Sequence, residues 1–383
     1  MAKGDKTKPE KKRKPLSDLD KVTLREIGAC ADQVHTAIQK LQKPELKFPE
    51  RSLRNARYDR KGGFQMGRAR VERTLTYNTV KTFAQTLKLM SLSKMLVERD
   101  DFATKRDAYY QSKNWGEAKF DEQPESDAAM DDIEALFSLE GVTREQLRFI
   151  PEEHGGAVAG RLIVIDQDQE TGGDVRIDCT GLGSGAYSIP SSVEKLRFET
   201  DAEFILAIET GGIFQRLNYH KFWRKRNCIL VETAGVPTRA TRRFIRKLSD
   251  DKKLPVYAFN DCDPYGFTNI YRTLKVGSGN AVHLNQFFCV PQARYLGVTP
   301  QDIIDHKLQD ATHKLKEVDI KRARDALKND PFFQAHKEWQ QAIELLLKMG
   351  VRAEQQALIK WGFDYVADEY LPEKLKNPKS FLP

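Results

Sequence analysis

Asp261 and Asp263 carry the first chemistry legible in the chain. They follow Val256 to Phe259, a short β-branched and aromatic run that opens after Pro255 and reads as a strand. Residues two apart in an extended chain point the same way, so both carboxylates face one side. Pro264 and Gly266 then stop the strand and let a helix begin. A second strand, Phe204 to Ile208, ends in Glu209. Three carboxylates at the carboxyl ends of strands suit a hard divalent cation, Mg²⁺ above all, which takes oxygen ligands and keeps several waters. Such an ion neutralises charge on a phosphodiester. Taken alone, the aspartate pair is weak: an acidic pair after a strand is more often a solvated loop or a helix cap. Asp166 and Asp168 repeat the spacing in what reads as a polar hairpin turn. A phosphatase with an aspartyl nucleophile competes for the same pair. That class usually has Thr or Val where Tyr265 stands beside Gly266.

A basic helix accompanies the acidic site. Arg239, Arg242, Arg243 and Arg246 fall at i, i+3, i+4 and i+7, one face of a helix from Thr238 to Leu248. Phe244, Ile245 and Leu248 take the other face. From Lys221 to Lys247 there are nine basic residues and one acid, Glu232. A stripe of this kind suits a nucleic-acid backbone, and equally a solvated surface helix.

The elements that must position these residues divide the chain. In the second half, apolar strands alternate with helices: Phe204 to Ile208, a helix near Ile213 to Trp223, Cys228 to Val231, the arginine helix, then Val256 to Phe259. This alternation predicts a parallel sheet covered on both faces. The first half differs. Ser17 with Asp20 resembles a capping box opening a helix whose stripe includes Leu19, Ile27, Val34, Ile38 and Leu41. That stripe must pack on this chain or on a partner. Residues 50 to 73 are basic and irregular. Helices near Val80 to Leu96, after Thr104 and over Asp127 to Leu139 precede a hairpin of Arg161 to Ile165 with Asp174 to Cys179. Three helices and a hairpin outline a winged helix. The expected class is α/β multidomain, with a winged-helix (CAP-like) DNA-binding domain before an α/β domain built on a parallel sheet. The expected boundaries are 1–66 for a basic tail and N-terminal helix, 67–185 for the winged helix, and 186–383 for the metal-binding domain with C-terminal helices.

Composition narrows the function. At 383 residues and 40% hydrophobic, the chain can form two or three domains with real cores. No run approaches a membrane span and no signal peptide opens the chain. Five scattered cysteines without a C-x-x-C suit a reducing compartment and oppose a structural zinc. Of the net charge of +8, residues 1 to 14 supply +5, with seven Lys/Arg against two acids. There is no G-x-x-x-x-G-K-[ST], hence no Walker-type ATP site. Gly181, Gly183 and Gly185 follow a hairpin and make no dinucleotide fingerprint.

Three stretches together resemble one family. Thr104-Lys105-Arg106-Asp107-Ala108-Tyr109-Tyr110 resembles the catalytic tyrosine motif of the A subunits of type IIB DNA topoisomerases, relatives of the protein that makes meiotic double-strand breaks. Phe204 to Leu217, with Glu209, resembles the first acidic motif of that family's Toprim domain, and Asp261 to Gly266 the second. The match runs from about residue 50 to residue 300, with the motifs in order. One departure is visible: family members often carry Gly-Lys-Gly-x-Pro-Asp where this chain has Thr233 to Thr238, so Gly235 and Pro237 survive but the lysine and aspartate do not.

The resemblance implies Tyr110 as nucleophile, a 5′-phosphotyrosyl DNA link and strand passage. It further implies Mg²⁺ at Glu209, Asp261 and Asp263. The implied partners are double-stranded DNA, a second copy of the chain, and an ATPase B subunit that binds ATP in an A2B2 heterotetramer. The implied location is cytoplasmic with the nucleoid, or nuclear in a eukaryote. Helix geometry adds that Tyr110 lies four residues after Arg106 and shares its face, with Tyr109 turned away. A break-forming transesterase without strand passage, or a DNA-binding protein with a decayed Toprim fold, remain the alternatives.

Overall fold

The computed structural model describes residues 16–59, 63–151, 155–168, 170–277 and 279–383. The basic tail and Arg60, Lys61 and Gly62 lie outside them. The chain forms two compact units, Met1–Glu50 with Arg68–Glu152, and Arg51–Gly67 with Glu153–Pro383. Among the described residues no helix is long and apolar enough to cross a membrane.

In the first unit, helix Asp18–Gln39 begins at a closed capping box. Asp20 N donates to Ser17 Oγ at 3.1 Å, and Ser17 N to Asp20 Oδ2 at 3.1 Å. Ile27, Cys30 and Val34 of this helix are buried in one core with Phe83, Met90, Ile133 and Phe137. The chain itself therefore covers the stripe, leaving only Leu19, Ile38 and Leu41 exposed at its ends. Helices Val80–Arg99 and Gln123–Phe137 supply the rest of that core. Arg148 clamps the unit, with Nη2 2.9 Å from Asp20 and 3.3 Å from Asp100. A two-residue strand, Ala103–Thr104, runs parallel to Phe149–Ile150 and leads into helix Lys105–Ser112.

The second unit is built on a six-stranded sheet. Its strand order is Tyr187–Ser188, Ala157–Gly160, Cys228–Glu232, Phe204–Ile208, Val256–Phe259, Arg294–Gly297. The last four are parallel, and the first two continue the sheet antiparallel. Strand Phe204–Ile208 is buried along its whole length, as a central strand between two layers must be. Ile208 pairs with both Glu232 and Phe259, so the neighbouring strands end level with it. Trp339, from helix Lys337–Met349, packs on Phe267, Tyr271 and Tyr295 with ring centroids 5.1 to 5.4 Å apart. That aromatic cluster backs the strands nearest Asp261.

The hairpin expected as the wing belongs to this second unit. Ile163–Gln167 pairs with Asp174–Asp178 on one side and with Arg197–Glu199 on the other. Its inward residues, Val164 and Cys179, share a core with Phe198 and the large sheet. The hairpin needed an apolar partner, and Phe198 provides it. Asp168 closes the turn as expected, accepting from Glu170 N at 3.0 Å and Thr171 N at 2.6 Å. The basic stretch near residue 60 forms a hairpin, Ala56–Asp59 with Gly63–Met66, and Phe64 buries it in the same unit.

Candidate functional site

The parallel register brings the ends of strands Phe204–Ile208 and Val256–Phe259 to one edge of the sheet. Glu209, Asp261 and Asp263 sit there, each half-buried. Each has one oxygen held by a backbone amide. Glu209 Oε2 accepts from Asp261 N at 2.9 Å. Asp261 Oδ1 accepts from Gln355 N at 2.8 Å. Asp263 Oδ1 accepts from Gly266 N at 2.5 Å. Gly266 is required by close approach: a Cβ there would lie 2.8 Å from Asp261 O. Tyr295 stands behind the turn, its hydroxyl 2.9 Å from Asp261 O and 3.0 Å from Val298 O.

Burial raises the Glu209 carboxyl well above the usual range, and the Asp261 carboxylate adds to the shift. Burial likewise raises Asp261 and Asp263. The donor set is all oxygen, and each carboxylate keeps a second oxygen beyond its amide bond, so the residues fit a hard cation. Among the described residues no three His, Cys, Asp or Glu side chains close into a ready cage. An ion held here would therefore keep several of its waters.

Sequence reading missed the loop that completes this edge. Arg352 Nη1 lies 3.6 Å from Asp263 Oδ2. Ala353 and Cys262 exchange both backbone hydrogen bonds, at 2.8 and 3.1 Å. Gln355 is 94 residues from Asp261 in the chain and has no motif around it, so no local signal marks it. The turn Thr233 to Thr238 has a backbone role. Gly235 N donates to Glu209 O at 3.0 Å, and Ala234 and Gly235 take φ of +52° and +79°. Thr238 caps the next helix, accepting from Thr241 N at 3.2 Å, as an aspartate would.

The four arginines share a face of helix Arg239–Lys252, and all four engage groups of the chain itself. Arg243 forks onto Glu194 at 2.6 and 2.8 Å and donates to Phe287 O at 3.1 Å. Arg246 bonds Asp250 at 2.5 Å and Cys289 O at 2.6 Å. Arg239 and Arg242 stack over Phe288, at 4.4 and 5.9 Å. The stripe that reads as a surface for phosphate thus holds segment Asn285–Phe288 against the helix.

In the first unit, helix Lys105–Ser112 is fixed by a second capping box. Asp107 N donates to Thr104 Oγ1 at 3.0 Å, and Thr104 N to Asp107 Oδ2 at 2.8 Å. The two tyrosines differ. Tyr109 is partly buried, donates its hydroxyl to Asp121 O at 3.0 Å, and lies under Lys113 Nζ at 4.1 Å. Tyr110 is 56% exposed, with the Arg106 guanidinium 5.9 Å from its ring centre.

Comparison with known proteins covers almost the whole chain. The family model for the Toprim domain of the topoisomerase 6 A subunit and Spo11 matches residues 204–375. "All-beta domain in DNA topoisomerase VI alpha subunit" matches 152–202, the stretch holding the misplaced hairpin, and "Type IIB DNA topoisomerase" matches 81–148. The chain is 53% identical to the type 2 DNA topoisomerase 6 A subunit of Methanocaldococcus jannaschii, over 94% of this chain and 96% of that protein. It is 35% identical to the Methanothermobacter thermautotrophicus protein of the same name, over 93% and 97%. The Pyrococcus abyssi protein, also of that name, is 33% identical over 98% and 99%.

Two outcomes follow from this geometry. Above the ordinary glutamate pKa and below the raised one, folded Glu209 keeps a proton that the unfolded chain has released. The metal-free protein therefore loses stability as pH rises through that interval. A cation that replaces the proton stabilises more as pH rises. The Mg²⁺-induced rise in melting temperature should be larger at mildly alkaline than at mildly acidic pH, and absent in Asp261→Asn. Equal rises at both pH values would contradict it. For the arginine helix, Arg243→Ala should lower stability by about 1–3 kcal/mol in chemical denaturation, because it strands Glu194 and the Phe287 carbonyl. A change within error would show that this fork holds nothing.

Proposed function

Because the chain belongs to the type IIB DNA topoisomerase family, on the side of its DNA-cleaving A subunits, we propose that Tyr110 cleaves DNA by transesterification. The observation that carries this is the contrast between the neighbouring tyrosines: Tyr109 is tied down by Asp121 and Lys113, while Tyr110 stands exposed beside Arg106. The Tyr110 hydroxyl oxygen attacks a backbone phosphorus. A phosphotyrosyl bond to the 5′ end forms, and the bond to the 3′ oxygen breaks, that oxygen leaving as a hydroxyl. The reverse attack reseals the strand without ATP. An ordinary tyrosine, with a pKa of about 10, is a poor nucleophile near neutral pH. Arg106 supplies fixed positive charge that favours phenolate and meets charge developing on phosphate.

Glu209, Asp261 and Asp263 are the residues that would hold Mg²⁺. When bound, the ion would supply charge neutralisation at the phosphodiester. The first unit, in which helix Lys105–Ser112 falls in the chain between helices Val80–Arg99 and Gln123–Phe137, acts as a DNA-binding domain of the winged-helix kind, with the strand pair Glu45–Pro49 and Arg70–Thr74 in place of the hairpin read as its wing. Arg239 and Arg242 add phosphate contacts, as the basic stretch from Lys221 to Lys247 supports. Two copies of the chain grip one duplex, and an ATPase B subunit drives strand passage in an A2B2 assembly. The absence of a Walker motif from the sequence supports an outside source of ATP hydrolysis. With DNA as its substrate the protein works where the genome lies, with the nucleoid in the cytoplasm, or in the nucleus of a eukaryote. The alternative without strand passage differs only in the partner. The alternative without catalysis does not account for an exposed tyrosine kept beside an arginine.

Tyr110→Phe should bind DNA but form no covalent adduct, Tyr109→Phe should keep most adduct formation, and Arg106→Ala should reduce it sharply. Trapping followed by peptide mapping reads this directly, and an adduct on Tyr109 would falsify the assignment. Arg242→Ala should flatten the dependence of log affinity on log salt by roughly one counter-ion unit; an unchanged slope would remove it from the DNA contact. Supercoil relaxation should need both ATP and a B subunit. ATP-driven relaxation by this chain alone would contradict the division of labour.

A further inference from the structure

Gln355 is completely buried although it belongs to no apolar pattern. Its amide nitrogen and both polar side-chain atoms bond to the carboxylate edge. Its backbone N donates to Asp261 Oδ1 at 2.8 Å. Its side-chain Nε2 donates at 2.9 Å to the carbonyl of Phe259, the last residue of that strand. Its Oε1 accepts from Thr210 Oγ1 at 2.9 Å. Thr210 directly follows Glu209 and sits at the N-cap of helix Gly211–Tyr219. A threonine hydroxyl there ordinarily accepts from a helix amide. Here it makes no such cap bond and turns to Gln355 instead.

One residue thus ties three points: the position after Glu209, the strand end before Asp261, and the Asp261 carboxylate itself. The bond from Asp261 N to Glu209 Oε2 closes the circuit. We infer that Gln355, acting with Thr210, is a positioning residue that sets the spacing of the Glu209 and Asp261 carboxylates for a divalent cation of the Mg²⁺ class. The inference rests on the cation role proposed above for these carboxylates. A glutamine suits this task because it offers a donor and an acceptor without adding a fourth charge to an edge already crowded with negative ones. It also gives the Phe259 carbonyl a second donor beside Glu209 N, which lies 3.1 Å away.

The test uses Mn²⁺ as the probe, titrated into the full chain and followed by electron paramagnetic resonance, without DNA and without turnover. The variants are Gln355→Met, Thr210→Val, the two combined, Asp261→Asn and Ser249→Ala. Ser249 is buried and donates to Leu254 O at 2.6 Å, just before strand Val256–Phe259 begins and so at the opposite edge of the sheet. Its loss reports the damage of a missing buried hydrogen bond away from the carboxylates. Gln355→Met should weaken Mn²⁺ binding about 10- to 100-fold, the range for partners that orient metal ligands. Thr210→Val should weaken it by a smaller factor. The combined variant should be no weaker than Gln355→Met, since both act through one bond. Ser249→Ala should bind as wild type does.

Unchanged affinity in Gln355→Met and Thr210→Val, with binding abolished in Asp261→Asn, would overturn the positioning role and leave the cation site standing. Equal weakening in Ser249→Ala would overturn it too, since the effect would then be general loss of stability. Undiminished binding in Asp261→Asn would overturn the cation role and the inference with it. Should Gln355→Met fail to fold, Thr210→Val carries the test, because it removes one half-buried hydroxyl and keeps the side-chain shape.

Discussion

Three carboxylates crowd one edge of a parallel sheet, and their mutual repulsion has to be held in check. Backbone amides do this. Asp261 N, Gln355 N and Gly266 N each hold one oxygen of Glu209, Asp261 and Asp263 in turn. Backbone donors hold these oxygens without adding charge, and their bonds strengthen wherever a carboxyl group is ionised. Much of the second unit serves these three bonds. The level ends of the parallel strands place Glu209 beside Asp261. Gly266 allows the chain to pass where any side chain would collide. The loop at Arg352 to Gln355 returns from the C-terminal helices to pair with Cys262 and anchor Asp261.

The nucleophile proposed in the first unit, Tyr110, is held by different means. A capping box fixes the start of a short helix, and the helix turn decides which tyrosine faces outward. Tyr109 is spent on packing and on Asp121, so it acts as the anchor that fixes the orientation of Tyr110. Arg106, one turn earlier, is the residue the same face brings close. The first unit thus aims its tyrosines by local backbone geometry, whereas the second also draws on Gln355, 94 residues from Asp261.

What the sequence disclosed follows from the range of each interaction. The capping box at Ser17 spans three residues and forms as read, and Thr104 opens the next short helix with a box that the structure adds. The strands ending at Ile208 and Phe259 show as apolar runs, because a buried parallel strand has no polar face. The hairpin near residue 170 was legible as a hairpin, but its unit was not, since the deciding contact is with Phe198. The arginine stripe was legible as a face. Nothing local showed that Arg243 would meet Glu194, 49 residues away, or that Arg246 would meet the Cys289 carbonyl. Gln355 was the hardest to see: it opens a short 3-10 helix with polar neighbours on both sides, and its link to the carboxylates runs through contacts 94 to 145 residues distant.

The central claim is that Glu209, Asp261 and Asp263 form one cation site. Anomalous diffraction from crystals soaked in Mn²⁺ measures it most directly. The account predicts a single strong peak at the sheet edge, within about 2.5 Å of one oxygen from at least two of the three carboxylates, with waters filling the remaining positions. No peak there at saturating Mn²⁺, or a dominant peak bound to other side chains, would contradict it.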